Sequence, residues 1–149
     1  MNSVNVKIKK LYEDAVIPTF GSEYAAGADL YAYIKECCII EIPPHETVKI
    51  GTGVAMAIPY GFWGGVFARS GLATKRGLAP ANKVGVIDPD YRGEIIVALH
   101  NDTNEPRIVA HGDRIGQLII IPVPTTTYVE TEDLDETERG DGGFGHTGI

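Results

Sequence analysis

Gly85-Val86-Ile87-Asp88-Pro89-Asp90-Tyr91-Arg92-Gly93-Glu94 is the stretch that decides how the rest of the chain is read. Val84, Val86 and Ile87 lead into its centre, and Ile95, Ile96, Val97, Ala98 and Leu99 lead out. Apolar, β-branched runs around a Pro/Asp/Gly cluster predict two strands joined by a tight connection. A carboxylate at such a bend is held by rigid neighbours yet stays near water, which suits a general base better than a core position. Asp88 and Asp90 could equally shape the turn and nothing more, as Asp readily does. Taken alone, the stretch favours that plainer role.

Outward from this centre the pattern repeats. Val4, Val6 and Ile8 alternate with polar residues as in a half-buried strand. Leu11 to Tyr24 carries Pro18, Gly21 and Ser22 and reads as loop, and Ala25 to Ala32 reads as a strand with a close backbone approach at Gly27. Cys38–Ile42, Thr47–Ile50 and Val54–Ile58 are short strand candidates separated by Pro43-Pro44 and Gly51/Gly53. Tyr60 to Gly65 reads as an aromatic turn and Val66–Ala68 as a strand. Further strands are expected at Asn82–Ile87, Glu94–Asn101, Arg107–Ala110 and Arg114–Ile121. The one helix expected is Arg69–Arg76, capped by Ser70 and stopped by Gly77. Short strands with punctuation every eight to twelve residues mean an all-β sandwich or barrel.

At 149 residues and 44% hydrophobic, the chain is long and apolar enough for one domain with a real core. Thirteen basic against 20 acidic side chains leave a net charge of −7. That balance argues against a nucleic-acid binder, which needs a basic face, but not against a small phosphorylated ligand met by a few arginines or Mg²⁺. No apolar run is long enough to span a bilayer and Met1–Lys10 has no signal-peptide core, so a cytoplasmic protein is expected, or a nuclear one if the source is eukaryotic. Cys37 and Cys38 are adjacent and form no disulfide framework. His45, His100, His111 and His146 lack metal-ligand spacing, and the first three are expected in satisfied surface or core roles.

From Thr125 the character changes: Glu130–Glu138 holds six acids, and a glycine-rich tail runs from Arg139 to Ile149. Composition supports equally a frayed terminus and a phosphate-wrapping flap using Arg139, Phe144 and glycine backbone. There is no P-loop, no Rossmann βαβ context and no nucleophile elbow around Ser70. The remaining inventory is carboxylates (Asp29, Asp88, Asp90, Asp113), arginines (Arg69, Arg114, Arg139) and donors at a short helix start. It suits metal-assisted phosphate chemistry with water as the nucleophile.

These residues carry a resemblance to the homotrimeric deoxyuridine triphosphatases (dUTP diphosphatases). Five motifs of that family stand here in order: Ala26–Ala32, Ala68–Thr74, Asn82–Glu94, Gly112–Leu118 and Arg139–Gly148. Two positions depart from it, His146 where many members carry Ser and Gly116 where Ala is common. The resemblance implies a distorted jelly-roll β-barrel spanning residues 1–124, with one short helix. An acidic connector at 125–138 would lead to a flexible C-terminal arm at 139–149 that acts as a lid. It implies a homotrimer with active sites between subunits, and hydrolysis of dUTP to dUMP and pyrophosphate. It also implies roles for matching residues. Asp88 would be the general base and Asp90 a turn former. Tyr91 would lie against the deoxyribose, and the backbone of Asn82–Ile87, Val86 and Ile87 included, would pair with the uracil edge. Arg69, Ser70 and Gly71 would hold the phosphates with support from Gln117. Mg²⁺ would ride on the phosphates with Asp29 in its outer shell through water. Arg114 would be structural, paired with Asp113. In the lid, Arg139 would meet the γ-phosphate while Phe144 stacks on uracil beside Gly145.

Overall fold

The run Glu94–Asn101 forms the strand about which the core is assembled. Ile95, Val97, Leu99 and Asn101 are buried on one face, while Ile96 is exposed on the other, the period of two that a pleated strand imposes. The computed structural model describes residues 3–36 and 38–143. In chain order its elements are β1 (Lys7–Lys10), β2 (Thr19–Phe20), β3 (Ala28–Tyr31), β4 (Ile39–Ile42), β5 (Thr47–Ala57) and β6 (Phe62–Phe67). The helix α1 (Ser70–Arg76) follows, and then β7 (Leu78–Pro80), β8 (Gly85–Ile87), β9 (Glu94–Asn101), β10 (Arg107–Ala110) and β11 (Arg114–Pro122).

The strands form a four-stranded sheet in the order β1-β5-β9-β7, a five-stranded sheet β2-β3-β11-β6-β8, and the pair β10-β4. All pairings are antiparallel. Leu30, Val66, Ile115 and Leu118 from the five-stranded sheet meet Ile50, Leu78, Val97 and Leu99 from the four-stranded one, with Ile42 and Val109 from the third. One core shared by all three sheets makes this the distorted jelly-roll barrel that the resemblance implied. Each such aliphatic side chain contributes about 1.5–3 kcal/mol when fully buried.

Local differences from the sequence reading have physical causes. Thr47–Ile50 and Val54–Ile58 are not two strands but one eleven-residue strand with a bulge opposite Ile95; of the glycines that read as a break, Gly53 lies in the bulge and Gly51 borders it. Of the expected aromatic turn, Tyr60-Gly61 does turn, while Phe62 to Gly65 already belong to β6 and pair with its neighbours; Gly64 and Gly65 sit where a Cβ would come within 2.8 Å of Ile58 and 2.5 Å of Phe67. Thr19–Phe20, expected as loop, pairs with β3. Arg69, not Ser70, is the N-cap residue, and no side chain caps the helix. Gly77 ends it in the left-handed region, φ 65°, as expected. Among the described residues the histidines are tied locally: His45 to Asn104, His100 to Thr47, and His111 Nδ1 to the Ile34 amide. No described helix is long and apolar enough to cross a membrane. Cys38 is exposed and Cys37 lies outside the described residues. Beyond Pro122 no described residue belongs to a helix or strand, and nearly all are exposed.

Candidate active site

α1 is only seven residues long and buries none of them. A helix that short is marginal in isolation, so its placement comes from its ends. At the start, the Gln117 side-chain amide donates to the Ala68 carbonyl at 2.9 Å. At the finish, Arg107 Nε donates to the Arg76 carbonyl at 2.9 Å, and the Arg76 guanidinium donates to the Ile108 carbonyl. Gln117 itself is seated beside Gly27, just before β3, where a Cβ would stand 2.8 Å from Gln117 Oε1.

The helix start opens onto a hollow of about 510 Å³ lined by Asp29, Arg69, Ser70, Gly71, Arg114 and Gln117, among others. Asp29, on β3, is the hub. Its Oδ1 accepts from Arg69 Nε at 2.7 Å and its Oδ2 from Arg114 Nη1 at 3.2 Å. The three side chains together carry one net positive charge, which favours anions in the hollow, while each carboxylate oxygen holds one nitrogen of a guanidinium. Arg114 is therefore not paired with Asp113, whose Oδ2 instead accepts from the Ala110 amide to close the β10–β11 turn. A register shift in β11 between Arg114 and Gly116 accompanies the reach to Asp29, and a bulge of this kind leaves no mark in residue alternation.

A second hollow, of about 250 Å³, is lined by Asn82, Val86, Ile87, Asp88, Tyr91 and Glu94, among others. β8 lies at the edge of its sheet, paired with β6 on one side. Its other backbone edge thus faces outward with donors and acceptors outside the ladder. The loop that follows is tied to itself. The Tyr91 amide donates to the Asp88 carbonyl at 3.1 Å, and Arg92 Nη1 donates to the carbonyls of Pro89 and Tyr91. The Tyr91 hydroxyl donates to the Glu94 carbonyl at 3.0 Å. Asp88 and Asp90 are exposed, and among the described residues no side-chain hydrogen bond holds Asp88. Arg92 and Glu94 went unsingled in the sequence because a charged residue beside a turn has no distinctive pattern.

One chain does not bring all the expected residues together. Asp29, Arg69, Ser70, Gly71 and Gln117 share the first hollow, and Asn82, Val86, Ile87, Asp88 and Tyr91 the second. Strand order places them on opposite sides of β6. Arg139 is exposed, its Nε donating to the Gly142 carbonyl at 2.8 Å within its own turn. Phe144 and Gly145 lie outside the described residues, as does His146.

The family model for dUTPase matches residues 13–148. The chain belongs to the dUTPase family. It is 49% identical to a deoxyuridine 5′-triphosphate nucleotidohydrolase of Desulfitobacterium hafniense, covering 100% of this chain and 99% of that one. To the protein of the same name from Syntrophotalea carbinolica it is 44% identical over the full length of both. Its fold superposes on the Staphylococcus bacteriophage 80alpha dUTPase solved with dUpNHpp at a TM-score of 0.87, with 26% identity and coverage of 97% and 99%. This dUTPase-family chain is a hydrolase of nucleotide metabolism.

Whether Mg²⁺ fits a dUTPase-family chain with these residues can be read from the donors. Among the described residues no three His, Cys, Asp or Glu side chains cluster to hold a metal. Both Asp29 oxygens are engaged by arginines, so direct coordination would compete with two guanidiniums. Each oxygen keeps a second lone pair for a water. Asp29 therefore fits a magnesium ion carried on phosphates and met through water.

Proposed function

We propose that this chain hydrolyses dUTP to dUMP and pyrophosphate, with Asp88 activating a water for in-line attack on the α-phosphorus. The observation that carries the reading is the outward backbone edge of β8 in the same hollow as Asp88 and Tyr91. A free strand edge offers alternating donors and acceptors at fixed spacing, as a complementary base does. Cytosine would present a donor where uracil presents an acceptor and leave a group unpaired, and the thymine methyl would need room beside the strand. Tyr91, fixed through its hydroxyl, presents its ring to the sugar, where a 2′-hydroxyl would clash. Asp88 is exposed and carries no competing hydrogen bond among the described residues, which suits a base that must take up a water.

The first hollow, around Asp29, supplies the phosphate side. Arg69, Ser70 and Gly71 bind the chain of phosphates, Gln117 holds the backbone that leads into the helix, and Asp29 aims both arginines. Mg²⁺ on the phosphates would neutralise their charge, and Asp29 is the residue that would meet its waters. Because the two hollows lie apart in one chain, a complete site needs the uracil side of one subunit and the phosphate side of another. That supports a homotrimer with sites between subunits. The exposed arm supports it too: Tyr128, Val129 and Leu134 are 93%, 81% and 84% exposed, more apolar surface than a free acidic connector requires. The arm delivers Arg139, Phe144 and Gly145 to a neighbour's site. In a cytoplasmic setting the reaction would keep uracil out of DNA and supply dUMP for dTMP synthesis.

The test is pyrophosphate release from dUTP, UTP, dTTP and dCTP in parallel with Mg²⁺, following ammonia in the dCTP reaction. Release from dUTP alone is expected. Ammonia from dCTP, or equal release from UTP, would overturn the assignment.

A further inference from the structure

Glu94 ends the loop that carries Asp88 and Tyr91, and its side chain enters the bulge of β5. Gly51 pairs with Ile96 and Ala55 with Glu94, so Thr52, Gly53 and Val54 stand opposite Ile95 alone. A bulge leaves backbone groups outside the ladder, and Thr52, Gly53 and Val54 are all buried. Thr52 Oγ1 donates to the Ile95 carbonyl at 2.7 Å. The Gly53 carbonyl accepts from the Leu11 amide at 2.8 Å. The Gly53 amide donates to Glu94 Oε1 at 2.7 Å. Without that carboxylate a buried N–H would lose its acceptor. Gly51 makes the room: a Cβ there would stand 2.4 Å from Glu94 Oε1.

The other end of Glu94 faces the loop. Its backbone carbonyl accepts the Tyr91 hydroxyl at 3.0 Å. The ring is folded over Gly93, where a Cβ would come within 2.3 Å of the hydroxyl oxygen. The Tyr91 amide in turn holds the Asp88 carbonyl at 3.1 Å. A continuous set of contacts thus runs from the bulge through Glu94 and Tyr91 to Asp88.

We propose that Glu94 is a positioning residue: its side chain, seated in the β5 bulge, fixes the carbonyl that holds Tyr91 and so sets the face presented to the sugar. The proposal rests on the reading of Tyr91 as the group that refuses a 2′-hydroxyl. What the bulge needs from residue 94 is an acceptor oxygen on a side chain of this length; an amide oxygen meets that need as well as a carboxylate does. Occupancy of the space over Gly51 is the second requirement.

The experiment compares kcat/KM for dUTP and UTP in the full-length protein and in Glu94→Gln, Glu94→Ala, Gly51→Ala and Tyr91→Ala. Gly51→Ala keeps every side chain of the hollow and displaces only the tip of a flexible one, so it separates position from identity and leaves the fold standing. Glu94→Ala and Gly51→Ala are expected to lower the dUTP-over-UTP ratio by about tenfold, mainly through a lower KM for UTP, because relief of the clash with its 2′-hydroxyl strengthens ground-state binding. Glu94→Gln should restore the ratio. Hydrogen exchange at the Gly53 amide should quicken in Glu94→Ala and Gly51→Ala but not in Glu94→Gln. A merely structural role would scale both substrates alike. An unchanged ratio in both Glu94→Ala and Gly51→Ala, with Tyr91→Ala losing selectivity, would overturn the proposal and leave the sugar reading intact. Full selectivity in Tyr91→Ala would overturn both.

Discussion

Replacing Asp29 by Asn tests whether this carboxylate is the hub of the phosphate hollow. The amide keeps an oxygen for Arg69 and puts an NH₂ where Arg114 now finds an acceptor. Two bonds change. The first, 2.7 Å long, joins side chains 26% and 13% exposed. A hydrogen bond to a charged group contributes about 1.5–3 kcal/mol and a neutral one about 0.5–1.5, so removing the charge costs roughly 1 kcal/mol. The second, 3.2 Å long, involves an arginine 51% exposed. Its loss costs about 0.2–1 kcal/mol, the range of solvent-screened pairs. Together they come to about 1.5 kcal/mol, which for a chain of this size lowers Tm by about 3–6 °C. Thermal denaturation at fixed protomer concentration measures it, and Arg69→Gln with the double variant closes a cycle. A coupling energy of about 1 kcal/mol is expected between Asp29 and Arg69. Turnover of dUTP in Asp29→Asn should fall at least about tenfold, because both arginines lose their aim. An unchanged Tm, or a coupling below about 0.3 kcal/mol, would refute the hub.

Asp88→Asn should keep dUTP affinity, read by titration calorimetry, and lose about 10²–10⁴ in kcat, the usual contribution of a general base; retained turnover removes Asp88 from that role. Deleting residues 139–149 should abolish turnover while circular dichroism and Tm stay close to those of the full chain, since the described part of that segment is almost wholly exposed and bonded within its own turn; an unaffected rate would make the arm a frayed end. A fourth prediction concerns pH and the fold. The Tyr33 hydroxyl donates to Asp14 at 2.7 Å, which pushes Tyr33 up from its usual 10.0 to about 12 and holds Asp14 below its usual 3.8. The stability this bond adds is therefore present across neutral pH. It is lost as pH falls below 3.8 on the Asp14 side and as pH rises from 10.0 through about 12 on the Tyr33 side. Denaturant titration of wild type and Tyr33→Phe should give curves that converge at both extremes; a constant gap between them would refute the linkage.

The fold and the parts list were legible in the chain because they rest on local chemistry. Ile95 to Leu99 announce a strand as an apolar, β-branched run, and Gly77 announces a helix stop by the left-handed conformation it tolerates. Asp88 announces a bend by its neighbours, and the five motifs assign the family because their order is a property of the sequence itself. Other features depended on distance in sequence. Asp29 and Arg114 stand far apart in the chain, and their bond exists because β3 and β11 pair with a shifted register. Nothing in the Gly112–Leu118 motif distinguished an arginine facing Asp29 from one facing Asp113. Gly51 and Gly53 looked like a break between strands because a bulge and a turn draw on the same residue. Only the pairing of β5 with β9 shows that the backbone continues and that Glu94 fills the gap. Which residues are available for chemistry was decided by the sequence, through local conformational preference and side-chain type. Which of them meet was decided by strand register and sheet order, because those are set by burial of the whole core at once.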